Sequence, residues 1–279
     1  MGTSIPRRSQ SRVRRVMAQS ITAAVLEVRG VKLEAEWHGP REGPVLVFLH
    51  EGLGSVGLWR GFPEKLAKAT GLGAFVYSRA GYGASDAVPL PRPVRYMHDE
   101  AELLAEILKR ADIPEPVLIG HSDGASIAIL YAGSGAPARA LILEAPHVFT
   151  EDVGLRSIEA ARVAYLRGPL RERLARWHED VDSAFWGWNG PWLDPDFRRW
   201  NIESSLPQIR APLLVVQGEN DEYGTIAQVE AIRRGAAGPV EVQLLKDCGH
   251  SPHRDQEEAT LRTMSDFLAR HCKKRESAE

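Results

Sequence analysis

Gly120-His121-Ser122-Asp123-Gly124 stands between an apolar run, Pro116-Val117-Leu118-Ile119, and a helix-like run, Ala125-Ser126-Ile127-Ala128-Ile129-Leu130-Tyr131. This is a G-x-S-x-G at a strand-to-helix junction. A serine at such a bend takes a strained backbone conformation, and glycines two positions to either side let neighbouring chain pass without meeting a Cβ. The hydroxyl is then presented at the carboxyl end of a sheet, and the following helix directs N–H groups toward developing negative charge. Alone the pentapeptide is weak, because it occurs by chance in many chains and a serine at such a junction is ordinarily a helix N-cap. Its meaning depends on whether the rest of the chain supplies a base and an acid.

It does. Pro212-Leu213-Leu214-Val215-Val216-Gln217 reads as a buried strand running into Gly218-Glu219-Asn220-Asp221, and Val240-Glu241-Val242-Gln243-Leu244-Leu245 alternates like a further strand ending in Asp247-Cys248-Gly249-His250. Ser122, Asp221 and His250, in that order and each just past a strand, resemble the α/β-hydrolase superfamily. The resemblance covers about residue 24 to residue 272. It implies an α/β fold, a mostly parallel doubly wound sheet with an inserted helical cap, and a triad of Ser122, His250 and Asp221. Glu144, closing Leu141-Ile142-Leu143, is the alternative acid, because some members take it from that strand. His253 reads as a loop histidine. Asp247, His250, His253 and Asp255 do not match a zinc spacing, so no metal is expected.

The resemblance also assigns an oxyanion loop to Leu49-His50-Glu51-Gly52-Leu53-Gly54, with the backbone N–H groups of Gly52 and Asp123 as donors. Glu51 stands where that family usually has glycine. The same stretch continues as Gly52-Leu53-Gly54-Ser55-Val56-Gly57, literally G-x-G-x-x-G after a strand. A dinucleotide site would place the first glycine at the strand end and an acid at the close of the next strand. Here His50-Glu51 intervenes, and the next strand, Gly73-Ala74-Phe75-Val76-Tyr77, closes with Ser78-Arg79, so only a 2′-phosphate contact from Arg79 would remain. No cofactor is expected.

The chain has 279 residues, 43% hydrophobic and 26% charged, enough for one large core. Its formal net charge of −2 offers no electrostatic footprint for nucleic acid. The two cysteines, Cys248 and Cys272, make no disulfide framework and point to a reducing, cytoplasmic setting. Residues 1–20 read as a disordered basic extension; Arg7 and Arg8 lack the apolar run of an export signal, and Met17 is an alternative start. No stretch is long enough to span a membrane.

A hairpin is expected near 24–37, with strands near 44–49, 73–77, 116–120, 139–143, 212–217 and 240–245 and helices between them. Residues 21–145 and 207–279 form the core on this reading. Between them, residues 146–206 lose the α/β alternation and read as the cap. The cap is rich in rings: Trp177, Phe185, Trp186, Trp188, Trp192, Phe197 and Trp200. Individually such residues are more often core than ligand contacts, but together they suggest an apolar roof over Ser122. The candidate substrate contacts are Glu51, His147, Trp186, Trp188 and Trp192.

The expected activity is hydrolysis of a carboxylic ester or related acyl compound through an acyl-enzyme. Carbon–carbon bond hydrolases, lactonases, thioesterases and acyltransferases share the resemblance, as do non-catalytic binding homologues. The first usually carry tryptophan after the catalytic histidine, where this chain has Ser251. The partner is a small-molecule acyl substrate. Two acids beside the serine, Glu51 and Asp123, lead to the expectation that neutral or cationic acyl compounds are preferred over anionic ones.

Overall fold

The computed structural model describes residues 22–272; the basic extension expected over residues 1–20 lies outside them. The chain opens with a hairpin of β1 (Thr22–Val28) and β2 (Val31–His38), which pair antiparallel. Its two-residue turn is Arg29-Gly30, both at positive φ (53° and 78°), as a tight hairpin turn following the strand twist requires. Six parallel strands follow: β3 (Val45–Leu49), β4 (Gly73–Tyr77), β5 (Val117–His121), β6 (Ala140–Glu144), β7 (Leu213–Gly218) and β8 (Val240–Leu245). β3 to β7 are buried along their whole length. That is why they read as unbroken apolar runs, whereas the edge strand β8 alternates.

The eight strands lie in the order β1-β2-β4-β3-β5-β6-β7-β8. Helices α1 (Phe62–Thr70) and α9 (Glu257–His271) cover one face through Leu66, Met264 and Phe267. On the other face pack α2 (Tyr96–Arg110), α3 (Asp123–Gly133) and α7 (Ile226–Gly235), through Leu104, Ile107, Ile127 and Ile232. Val45, Val47 and Leu49 enter the second core and Leu46 and Phe48 the first, the alternation a two-sided strand imposes. The chain runs from β3 outward to β4 and then returns to the other side of β3 to form β5. Ligands of open α/β sheets bind at such a reversal, outside the carboxyl ends of the strands. Ser122 follows β5 there and Gly52 follows β3.

The long connection from β6 to β7 carries α4 (Asp152–Arg167), α5 (Leu170–Leu174) and α6 (Val181–Trp192), then two short 3-10 turns, Pro195–Arg199 and Glu203–Gln208. An antiparallel bridge between Phe149 and Asn201 closes its stem. Hydrogen bonds from Ile202 N to Val148 O (2.7 Å) and from Thr150 N to Trp200 O (3.2 Å) secure it. A short helix, α8 (Pro252–Asp255), precedes α9. Among the described residues no helix is long and apolar enough to cross a membrane.

Candidate active site

Ser122 sits between β5 and α3 at φ 53°, ψ −115°, a conformation that costs a non-glycine residue about 1–3 kcal/mol. The flanking glycines let the surrounding structure hold it there. A Cβ at Gly120 would overlap the Gly124 carbonyl, and a Cβ at Gly124 would overlap the carbonyl oxygens of Leu49 and His50 at the end of β3. Both glycines are therefore required by close approach of backbone rather than by φ. The Ser122 N–H donates to Glu144 O (2.9 Å), and its side chain makes no N-cap bond to α3.

The hydroxyl meets a chain of hydrogen bonds. Ser122 Oγ lies 2.9 Å from His250 Nε2, and His250 Nδ1 lies 2.8 and 2.9 Å from the two Asp221 oxygens. A carboxylate can only accept, so Nδ1 carries the proton and Nε2 is left to accept from the serine. Asp221 is oriented in turn by the N–H of Tyr223 (2.8 Å) and by Gln217 Nε2 (2.7 Å). Burial alone would raise its pKa; the His250 bond and charge outweigh that and hold it at about 2. Asp221 is thus charged throughout the neutral range.

Glu144, the alternative acid, is engaged elsewhere. Its Oε2 accepts from His253 Nδ1 (2.9 Å) and from the His253 backbone N–H (3.0 Å). His253 is accordingly no loop histidine: it is buried on α8, packed against Trp59 and Phe62. His121, which the sequence reading passed over, donates from Nε2 to the backbone oxygen of His250 (2.7 Å). Its Nδ1 lies 3.4 Å from Glu51 Oε2. Burial works against a charge on His121, but Glu51 overcomes it and raises the imidazole pKa, while His121 holds Glu51 below the usual carboxylate range against its own burial.

Ser122, His121 and His250 line a cavity of about 530 Å³ together with Glu51, Gly52, His147, Trp177, Trp188 and Trp192. The Gly52 N–H has no protein acceptor among the described residues, and Asp123 opens α3, where a helix leaves its N–H groups unpaired. Gly52 is a glycine for a reason invisible in the sequence, since a Cβ there would overlap the Trp188 indole. Trp188 and Trp192 are four residues apart on α6 and share the cavity face. Trp186 is on another face, packing against Phe185 and Tyr165, and is not a lining residue. Phe197 and Trp200 stack on each other and pack at a tilt against Trp192, so part of the ring-rich segment is its own core.

The side chain of Asp123 does not face the cavity. It accepts from Tyr96 Oη and from Trp192 Nε1 (3.1 Å), with Arg79 Nη2 at 3.8 Å, and it is fully buried. Arg79 also donates to Glu51 O (2.9 Å) and is 1% exposed, which leaves it no face for a 2′-phosphate. The expected bias against anionic substrates rested on Glu51 and Asp123 together. Asp123 is withdrawn and Glu51 is compensated by His121, so its physical ground is gone.

His147 borders both His250 and Trp192 (ring centroids 5.6 and 5.3 Å). Burial, reinforced by repulsion from His250, pushes its pKa down from 6.5 to about 3. The unfolded chain takes up a proton below about 6.5 that the folded state refuses until about 3, so this group makes stability fall as pH drops through that window. The slope is at most about 1.4 kcal/mol per pH unit. Thermal melts of the parent and of His147→Gln should therefore show a smaller loss of Tm between neutral pH and pH ~5 in the variant. Equal losses would show that His147 accepts its proton while folded.

A family model described as the alpha/beta hydrolase family matches residues 46–263. The structure is similar to a thermophilic esterase from Thermogutta terrifontis, at TM-score 0.71 and 18% identity over 90% of this chain and 100% of that one. It is similar to the enol-lactonase from Burkholderia xenovorans LB400, at TM-score 0.70 and 20% identity over 88% and 100% of the two chains. An esterase from Exiguobacterium antarcticum gives TM-score 0.71 and 19% identity over 89% and 100%. No curated protein sequence matches the chain. The solved structures share the fold, the family model spans most of the sequence, and the protein belongs to the alpha/beta hydrolase family.

Proposed function

We propose that the protein is a serine hydrolase acting on a carboxylic ester or closely related acyl compound. The observation that carries this reading is the hydrogen-bonded series Ser122–His250–Asp221 opening into the cavity. Ser122 Oγ adds to the acyl carbon as its proton passes to His250 Nε2, and Asp221 stabilises the imidazolium. The N–H groups of Gly52 and Asp123 are the donors for the resulting oxyanion. The imidazolium then returns its proton to the leaving alkoxide, leaving an acyl-serine. Water, deprotonated by the same imidazole, adds to the acyl carbon; collapse releases the acid and restores the serine. The insertion between β6 and β7 acts as the cap, with Trp188 and Trp192 as the apolar wall for the acyl group.

Two measurements test the reading. A fluorophosphonate should label Ser122 stoichiometrically, and a series of p-nitrophenyl esters of graded chain length should be turned over, with activity surviving dialysis against chelator. A lactone and an acyl-coenzyme A thioester run beside them place the preferred leaving group. Absence of both labelling and turnover would leave the non-catalytic binding reading in its place.

A further inference from the structure

Four arginines, Arg60, Arg173, Arg176 and Arg254, line the same cavity as Ser122 and His250. They come from separate segments: the turn after Trp59, helix α5, the chain after α5, and α8. All four are exposed, which puts their guanidinium groups toward the solvent side, whereas Ser122 is 6% exposed. Among the described residues none has a carboxylate within 4.0 Å, although Arg171 in the same short helix pairs with Asp182. Arg60 is instead held over the Trp177 ring, 5.5 Å from its centroid. The acids of the wall are Glu51 and Glu222, and Glu51 is compensated by His121. A cleft with this balance carries a positive potential, and its low-dielectric walls concentrate the field.

We infer that the acyl portion of the substrate carries an anionic group, a carboxylate or phosphate, placed away from the scissile carbonyl so that the arginines at the mouth bind it while Ser122 attacks below. This rests on the hydrolase reading above and narrows its substrate class. The chain as a whole has a formal net charge of −2, so the positive mouth is a local arrangement and not an overspill of general basicity. Guanidinium groups suit the role because they offer paired donors to planar carboxylates and to phosphates and never lose their charge. Their exposure to water makes the attraction salt-sensitive.

The test compares p-nitrophenyl valerate with the p-nitrophenyl half-ester of glutaric acid, two acyl chains of equal length that differ by a terminal carboxylate. The anionic ester should have a kcat/KM about tenfold or more above the neutral one. The ratio should fall about tenfold in the double variant Arg173→Gln/Arg176→Gln, fall less in Arg254→Gln alone, and shrink as salt rises from about 0.05 to about 0.5 M. A parent ratio at or below one, or a ratio indifferent to both variants, overturns the inference. An acyl-coenzyme A thioester, with its phosphates on the leaving-group side, is the second arm. A larger loss for the thioester than for the half-ester in the double variant places the anion on the leaving-group side and also overturns the inference. Failure of the hydrolase reading is distinguishable, because it leaves both p-nitrophenyl esters intact. Calorimetric titration of Ser122→Ala with monomethyl glutarate and with the uncharged methyl valerate then reads the anion preference without chemistry, and equal affinities overturn it.

Discussion

Ser122→Ala is expected to abolish both turnover and fluorophosphonate labelling, while His250→Ala and Asp221→Asn each lower kcat by roughly three or more orders of magnitude. The expectation for Asp221→Asn follows from proton placement. Asp221 fixes the proton of His250 on Nδ1 through contacts of 2.8 and 2.9 Å, and an amide in its place can present its NH2 and select the opposite tautomer, with Nε2 protonated toward Ser122. Glu144→Gln is the control. Its carboxylate binds His253 and not His250, so that variant should keep kcat within about tenfold of the parent and lose melting temperature instead, because it weakens two buried hydrogen bonds to a carboxylate. If Asp221→Asn is nearly silent and Glu144→Gln removes activity, the acid has been assigned to the wrong strand. Steady-state kinetics with one p-nitrophenyl ester, with melts on the same preparations, decides between them.

Gly124→Ala should damage both stability and activity through a single added methyl group. Its Cβ would overlap the carbonyl oxygens of Leu49 and His50, so α3 and the end of β3 must separate. That end of β3 leads into Gly52, and α3 begins at Asp123. One methyl group therefore disturbs Ser122 and both proposed oxyanion donors together. A stability loss of about 3 kcal/mol is expected from overpacking against backbone that cannot turn aside, with activity falling in the protein that remains folded. Gly190→Ala provides the contrast. Gly190 lies in α6 with nothing within 4 Å of an added Cβ, and alanine there should stabilise by up to about 1 kcal/mol through helix propensity. Equal melting temperatures for the two variants would show that α3 and the end of β3 separate without cost.

The sheet and the approximate ends of its strands are written in the chain. Each of the six parallel strands was legible as a short apolar or alternating run, because burial on one or both faces writes itself into consecutive residues. Ser122, Asp221 and His250 stand out as candidates because each lies within a few residues of the end of such a run, and the glycine spacing around Ser122 marks a bend. Where side chains point, and which distant partner each one meets, arise only on packing. Nothing local separates Asp221 from Glu144, both acids at the end of a strand; the fold sends His250 to the first and His253 to the second. Trp186 and Trp188 are equally aromatic, but 100° per residue on α6 turns one into the insertion's own packing and the other onto Gly52. Asp123 is adjacent to Ser122 in the chain and withdrawn from the cavity in space, taken up by Tyr96 and Trp192 from two other helices. Arg60, Arg173, Arg176 and Arg254 gather around one cavity across nearly two hundred residues of chain. Periodicity reports burial along a segment; the convergence of side chains from separate segments exists only once the sheet and the insertion have packed, and the charge of the cavity was set at that step.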